Sequence, residues 1–237
     1  MINKLKIKIF ADTADLNSIL KLCTNPLIKG FTTNPTLMRK AGILDYEDFS
    51  RKLISLVPNH PLSLEVFADD LLTMEAQAKI IASWGKNVNV KIPVTTTKGE
   101  FIGPIIERLS ATGVMVNITA VFTLDQINAI TRSLRDDMPV IISIFAGRIA
   151  DTGIDPVPLM TEAVKILKDK PKVELIWASP RELLNIFQAN DIGCHIITVT
   201  LDILNKLSIV NKNLEQYSLE TIQTFYKDAN IANYVIK

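Results

Sequence analysis

Asn87-Val88-Asn89-Val90-Lys91-Ile92-Pro93-Val94-Thr95 reads as a β-strand with a lysine set into an alternating pattern. Side chains on a strand point to opposite faces in turn, so Val88, Val90 and Ile92 share one face and Asn87, Asn89 and Lys91 the other. The pattern predicts a strand buried on both sides. An ammonium ion is costly in such a place, and burial favours the neutral amine, which can attack a carbonyl. The same residues also fit an edge strand whose lysine reaches solvent, as most lysines do. This stretch alone leaves both readings open.

Outward from it, short β-branched or apolar runs alternate with longer helical patterns, the mark of parallel βα units. Strands are expected at 6–12, 28–33, 62–67, 87–93, 115–119, 140–145, 173–178 and 196–200. Helices are expected at 16–23, 46–56, 71–84, 101–112, 124–135, 157–167, 181–189 and 201–207. Eight units in 237 residues predict an α/β fold, a (β/α)8 TIM barrel, with an open doubly wound sheet as the alternative that counting strands does not remove. One domain, 1–237, is expected. A further amphipathic pattern, Leu219, Ile222, Phe225, Tyr226 and Ala229, predicts a C-terminal helix at 217–233 that packs on its own barrel or on a neighbouring subunit.

Composition narrows the function. A formal charge of +1 and the absence of a long basic run argue against nucleic acid or a membrane surface as partner and for a small molecule. Cys23 and Cys194 make no disulfide framework, and neither stands at a metal-ligand spacing from His60 or His195. The N-terminal residues form neither a signal peptide nor a membrane span, so a cytoplasmic protein is expected.

A parallel barrel builds its active site at the C-terminal ends of its strands. Polar residues gather there: Asp12, then Thr32-Thr33-Asn34, Glu65, Lys91, Asn117 with Thr119, Ser143 before Phe145 and Arg148, and Ser179 with Arg181. Each has a plainer reading. Thr32, Thr33 and Asn34 before Pro35 could form a turn, Glu65 could be the partner of Lys91, Arg148 and Arg181 could cap helices, and Asp15 fits a helix start. Asp12 is harder to set aside, because an unpaired carboxylate in a buried strand end costs several kcal/mol. Seven consecutive strand ends carrying such groups favour a reactive site over seven coincidences.

In this order the motifs resemble the transaldolase family, including its short members related to fructose-6-phosphate aldolase. The matching pieces are Phe10-Ala11-Asp12-Thr13, Thr32-Thr33-Asn34-Pro35-Thr36, Val90-Lys91-Ile92-Pro93, Asn117-Ile118-Thr119, Ser143 through Asp151, and Ala178-Ser179-Pro180-Arg181. The resemblance implies a class I mechanism with no metal or organic cofactor, sugar-phosphate substrates of the pentose phosphate pathway, and a homo-oligomer, commonly a decamer of two pentamers. It implies Lys91 as the Schiff-base lysine, Asp12 as the acid/base at the C4 hydroxyl, and Glu65 with Thr119 as holders of a catalytic water. Thr33, Asn34, Asn117 and Ser143 would bind the dihydroxyacetone part, and Arg148, Ser179 and Arg181 the phosphate. Phe145, where the aldolase branch carries tyrosine, and Glu65, where it tends to carry glutamine, favour transaldolase over aldolase. A sugar-phosphate-binding barrel without catalysis is the third reading. Trp177 and Pro180 depart from the family's usual residues and are expected to reshape the phosphate end.

Overall fold

Period-two alternation produces eight parallel strands in a computed structural model that describes residues 2–135 and 138–236. They are β1 (Lys8–Asp12), β2 (Ile28–Thr32), β3 (Leu62–Glu65), β4 (Val88–Pro93), β5 (Val116–Val121), β6 (Val140–Ile144), β7 (Val173–Trp177) and β8 (Ile196–Val199). Each pairs with the next and β8 returns to β1, so the sheet closes into a barrel. The fold is the (β/α)8 barrel expected from the alternation, with an added C-terminal helix.

The outward row of each strand is the main apolar core. Leu64, Val90, Ile92, Ile118, Ile142, Leu175 and Val199 are fully buried against helical residues such as Ile19, Leu53, Met74, Ile105, Ile127, Met160 and Ile186. The inward row is mixed. Phe10, Ile141, Ile176, Ala178 and Ile196 make a small plug in the barrel, and polar side chains stand above it. Register sets Glu65 beside Lys91 and Lys91 beside Asn117, so three inward polar groups share one level.

The covering helices are α1 (Leu16–Leu22), α2 (Pro35–Lys40), α3 (Tyr46–Leu56), α4 (Leu71–Ser83), α5 (Gly103–Ala111), α6 (Leu124–Arg132), α7 (Ala146–Ala150), α8 (Pro156–Ile166), α9 (Leu184–Asp191) and α10 (Leu201–Asn205). Their starts follow local chemistry: Asp15, Asp45, Asp70 and Asp155 accept backbone N–H groups as N-caps, and Thr123 forms a reciprocal capping box with Gln126. Such a cap contributes about 1 kcal/mol, and at Asp15 it bears out the helix-start reading.

The structure departs from the expected elements at four barrel helices and at the C-terminal one, which runs Leu214–Ile231 where 217–233 was expected. α2 lies where only a turn was expected and α7 follows the expected end of a strand at 145, where no helix was expected, because five or six residues are too few to display an apolar period. α9 starts at Leu184 instead of 181, since Asn185 Oδ1 accepts from Arg181 N and Glu182 N and ties those donors outside the helix. α5 starts at Gly103 because Phe101 bridges back to Thr95.

The C-terminal helix, α11 (Leu214–Ile231), begins on Asn213, whose side chain accepts from Gln216 N. None of its residues is buried, and Ile222, Phe225 and Tyr226 are 60%, 68% and 74% exposed. Its apolar side is left uncovered by its own barrel.

Candidate active site

The C-terminal mouth of the barrel opens on a cavity of about 560 Å³, within the range of small-ligand sites. Asp12, Asn34, Glu65, Lys91, Asn117, Thr119, Ser143, Phe145, Arg148, Ser179 and Arg181 all line it. Seven strands and the loops after them thus deliver to one space what the sequence scatters over 170 positions (Asp12 to Arg181).

Lys91 stands on the cavity floor, 7% exposed. Its Nζ donates to the Thr33 carbonyl at 3.2 Å and lies 3.1 Å from Glu65 Oε2. The second contact has ion-pair distance without hydrogen-bond direction, because Oε2 is a buried oxygen that accepts no hydrogen bond among the described residues. Thr119 Oγ1 is in the same condition. Buried oxygens without a donor are uncommon and mark sites that take a water or ligand.

Asp12 is the opposite case, a carboxyl held firmly. Thr32 Oγ1 donates to its Oδ1 at 2.7 Å and is itself in short contact with Thr198 Oγ1. Burial lifts the Asp12 carboxyl above the ordinary carboxylate range; the Lys91 charge and the Thr32 hydrogen bond oppose the shift, and the Glu65 charge adds to it. The group therefore keeps a proton to higher pH than a free aspartate. A second chain fixes the far side: Asn117 Nδ2 donates to Ser63 Oγ at 3.0 Å, and Ser143 Oγ donates to Asn117 Oδ1 at 2.7 Å.

Two cavity residues have left-handed backbones, Ala120 (φ 59°) and Ser179 (φ 61°). Such conformations in non-glycine residues cluster at functional sites. Beside Ser179 the packing is close: a Cβ on Gly147 would fall 1.5 Å from the Ser179 carbonyl oxygen, so only glycine lets α7 approach the end of β7. That approach brings the two arginines to one rim. The Arg148 guanidinium lies over the Phe145 ring, 5.1 Å from its centroid. Arg181 grips Asp151 by two points, Nε to Oδ1 at 2.8 Å and Nη2 to Oδ2, and this bonding holds the Asp151 carboxyl below the usual range.

Two expectations need correction, at Thr33 and Trp177, and one, at Asn34, is narrowed. Thr33 is fully buried and its hydroxyl donates to the Ser63 carbonyl at 3.2 Å, so it offers the site only its own carbonyl; Thr32, one residue earlier, faces the cavity. Asn34 lines the mouth, but its Oδ1 caps α2 by accepting from Leu37 N, which leaves the amide nitrogen for a ligand. Trp177 lies in the outer core, 0% exposed, because it shares the outward row with Val173 and Leu175; Pro180, not Trp177, touches the cavity. Sequence reading missed Ser63, Thr198, Thr200 and Lys40. Period-two counting back from Glu65 reaches Ser63, and along 196–200 it puts Thr198 and Thr200 on one face.

An amine, a carboxyl whose proton affinity is raised by burial, and buried oxygens that accept no hydrogen bond among the described residues can together carry out carbonyl addition with proton transfer. The profile of the family described as Transaldolase/Fructose-6-phosphate aldolase matches residues 9–235. The chain belongs to this family. Among its relatives is a "Probable transaldolase" of Dehalococcoides mccartyi, 37% identical over 202 residues, which cover 85% of this chain and 90% of the relative. A "Probable transaldolase 2" of Listeria monocytogenes is 32% identical over 215 residues, covering 89% and 94%. Of solved structures, the KGPDC of Streptococcus mutans superposes with a TM-score of 0.56 at 9% identity over 83% of this chain and 88% of that one, a likeness of fold alone. Membership makes the chain an enzyme of the transaldolase and aldolase type. Among the described residues no helix is long and apolar enough to cross a membrane.

Proposed function

We propose that this family member is a transaldolase that moves a dihydroxyacetone unit from a ketose phosphate, such as fructose 6-phosphate or sedoheptulose 7-phosphate, to an aldose phosphate. The observation that carries the reading is the enclosed Lys91 amine, set between Glu65 and Asn117 in a cavity shared with the buried Asp12 carboxyl.

In this mechanism the Lys91 amine gives up its proton and adds to the C2 carbonyl. The carbinolamine loses water through a proton relay at Glu65 and Thr119, whose buried Oε2 and Oγ1 accept no hydrogen bond among the described residues, and an iminium results. The Asp12 carboxylate takes the C4 hydroxyl proton, the C3–C4 bond breaks, and its electron pair passes to the iminium nitrogen as an enamine. The aldose leaves. The enamine adds to the acceptor aldehyde, Asp12 returns its proton to the new hydroxyl, and water releases the new ketose from Lys91. Asn117 and Ser143, oriented by Ser63, hold the three-carbon hydroxyls with the Asn34 amide. Arg148 and Arg181 bind the phosphate with charge-assisted bonds beside Ser179.

Phe145 favours transfer over simple cleavage. Its ring packs against Phe122 with centroids 5.7 Å apart and lies under Arg148; it brings no hydroxyl to position water, so the enamine persists until an aldehyde arrives. Dihydroxyacetone release from fructose 6-phosphate, assayed with and without erythrose 4-phosphate, tests this. Release without acceptor should be a small fraction of transfer, and Phe145→Tyr should raise it severalfold. Release by wild type as fast as transfer would instead make the enzyme an aldolase.

The uncovered side of α11 supports a homo-oligomer, with Leu219, Ile222, Phe225 and Tyr226 buried on a neighbouring subunit. Light scattering should give a multiple of 26.4 kDa, a decamer being the assembly tested first. Truncation after Val210 should lower that mass, and a monomeric full-length chain would refute the assembly.

A further inference from the structure

The barrel has a second cavity at its other end. It also measures about 560 Å³ and is bounded by the N-terminal ends of β1 to β7 and the loops before them. Phe10, Ile141, Ile176 and Ile196 plug the barrel between the two mouths, so this cavity is separate from the Lys91 site.

Its walls are stiff and apolar. Pro58, Pro61 and Pro139 border it with Met115 and Val140, and Asn87 pins the 57–60 turn by donating from Nδ2 to the Val57 carbonyl at 2.9 Å and the His60 carbonyl at 3.0 Å. Among the described residues its rim carries Lys8, Lys29 and Lys86, with Glu174 pairing Lys8 at 2.7 Å. Lys29 and Lys86 form no ion pair among the described residues. Asn89 lies deeper, on the inward row of β4 below Lys91, and is 7% exposed. Its side-chain amide borders the cavity and makes no hydrogen bond among the described residues. Its polar atoms stay accessible to the cavity, so a ligand can reach them, and the same cavity is bordered by Lys29 and Lys86.

We propose that the N-terminal mouth is a second binding site, for a small organic anion with a flat apolar body and one carboxylate, sulfonate or phosphate group. The body lies between the proline walls over Phe10 and Ile141, Asn89 bonds it at the floor, and Lys29 and Lys86 hold its charge at the rim. This assignment stands on the lower mouth alone and does not depend on the reaction proposed for the upper one.

Titration calorimetry of the full chain with naphthalene-1-sulfonate tests it. One molecule should bind per chain, Lys29→Glu/Lys86→Glu should weaken binding at least tenfold, and Asn89→Leu should weaken it severalfold, while Arg148→Ala at the upper mouth leaves it unchanged. Melting curves check the fold of each variant, and Lys86→Ala, weakened severalfold, serves if the double variant does not fold. No binding at millimolar concentration, equal binding to the rim variants, or binding lost in Arg148→Ala would overturn the assignment.

Discussion

Lys91→Ala should lose sugar-phosphate turnover by roughly 10,000-fold or more, since the other amine that lines the cavity, Lys40, is exposed at the end of α2 and away from the Glu65–Lys91–Asn117 level, and the remaining residues act on the covalent intermediate as a unit. The barrel should survive. Breaking a fully enclosed ion pair costs roughly 3–5 kcal/mol; Glu65 has 17% of its side chain exposed to the cavity, so solvent moderates the loss. A coupled assay and a thermal melt on the same preparation separate the two effects. Substantial turnover by the variant would remove Lys91 from the chemistry.

Asp12→Asn should give the second largest loss, a fall in kcat of about 100- to 10,000-fold, the usual contribution of a positioned acid/base. Stability should move the other way at neutral pH. Burial raises the folded carboxyl above its unfolded value, so the aspartate's favourable contribution is complete below the unfolded pKa and is lost as pH rises through the folded one. Asparagine carries no such penalty. Melting temperatures should therefore favour Asp12→Asn at pH 7 and converge near pH 4. For the same reason the acid limb of kcat/KM, where the base form of Asp12 is lost, should fall at a pH above that of an ordinary aspartate. An unchanged kcat, or a stability gain that grows towards low pH, would contradict the assignment.

Much of the site was legible because strands obey a period of two. Counting from Val88 put Lys91 on the inward face, and the same counting placed Asp12, Asn117 and Thr119, all of which line the cavity. What failed turned on single residues or on three-dimensional packing. Thr32 and Thr33 differ only in type of face, and a shift of one residue in register exchanges them; the β1–β2 pairing has such a shift between Ile9 and Phe10. Trp177 was judged by its nearness to Ser179 in sequence, although alternation already placed it with Leu175 on the outward row. The capping role of Asn34 depends on α2, too short to announce itself. Alternation places Ser63 and Thr198 on the inward face, but the role of a buried hydroxyl comes only from its partner, 54 positions away for Ser63 and 166 for Thr198. The grip of Arg181 on Asp151 likewise joins residues 30 apart, and the lower mouth assembles lysines that no motif connects.

Borohydride trapping bears most directly on the role of Lys91. Fructose 6-phosphate added with borohydride should reduce the iminium to a stable amine, and peptide mass mapping should place one three-carbon diol unit on Lys91. The adduct should be absent from Lys91→Ala. No adduct on the wild-type chain, or an equal adduct on Lys91→Ala, would contradict the Schiff-base mechanism.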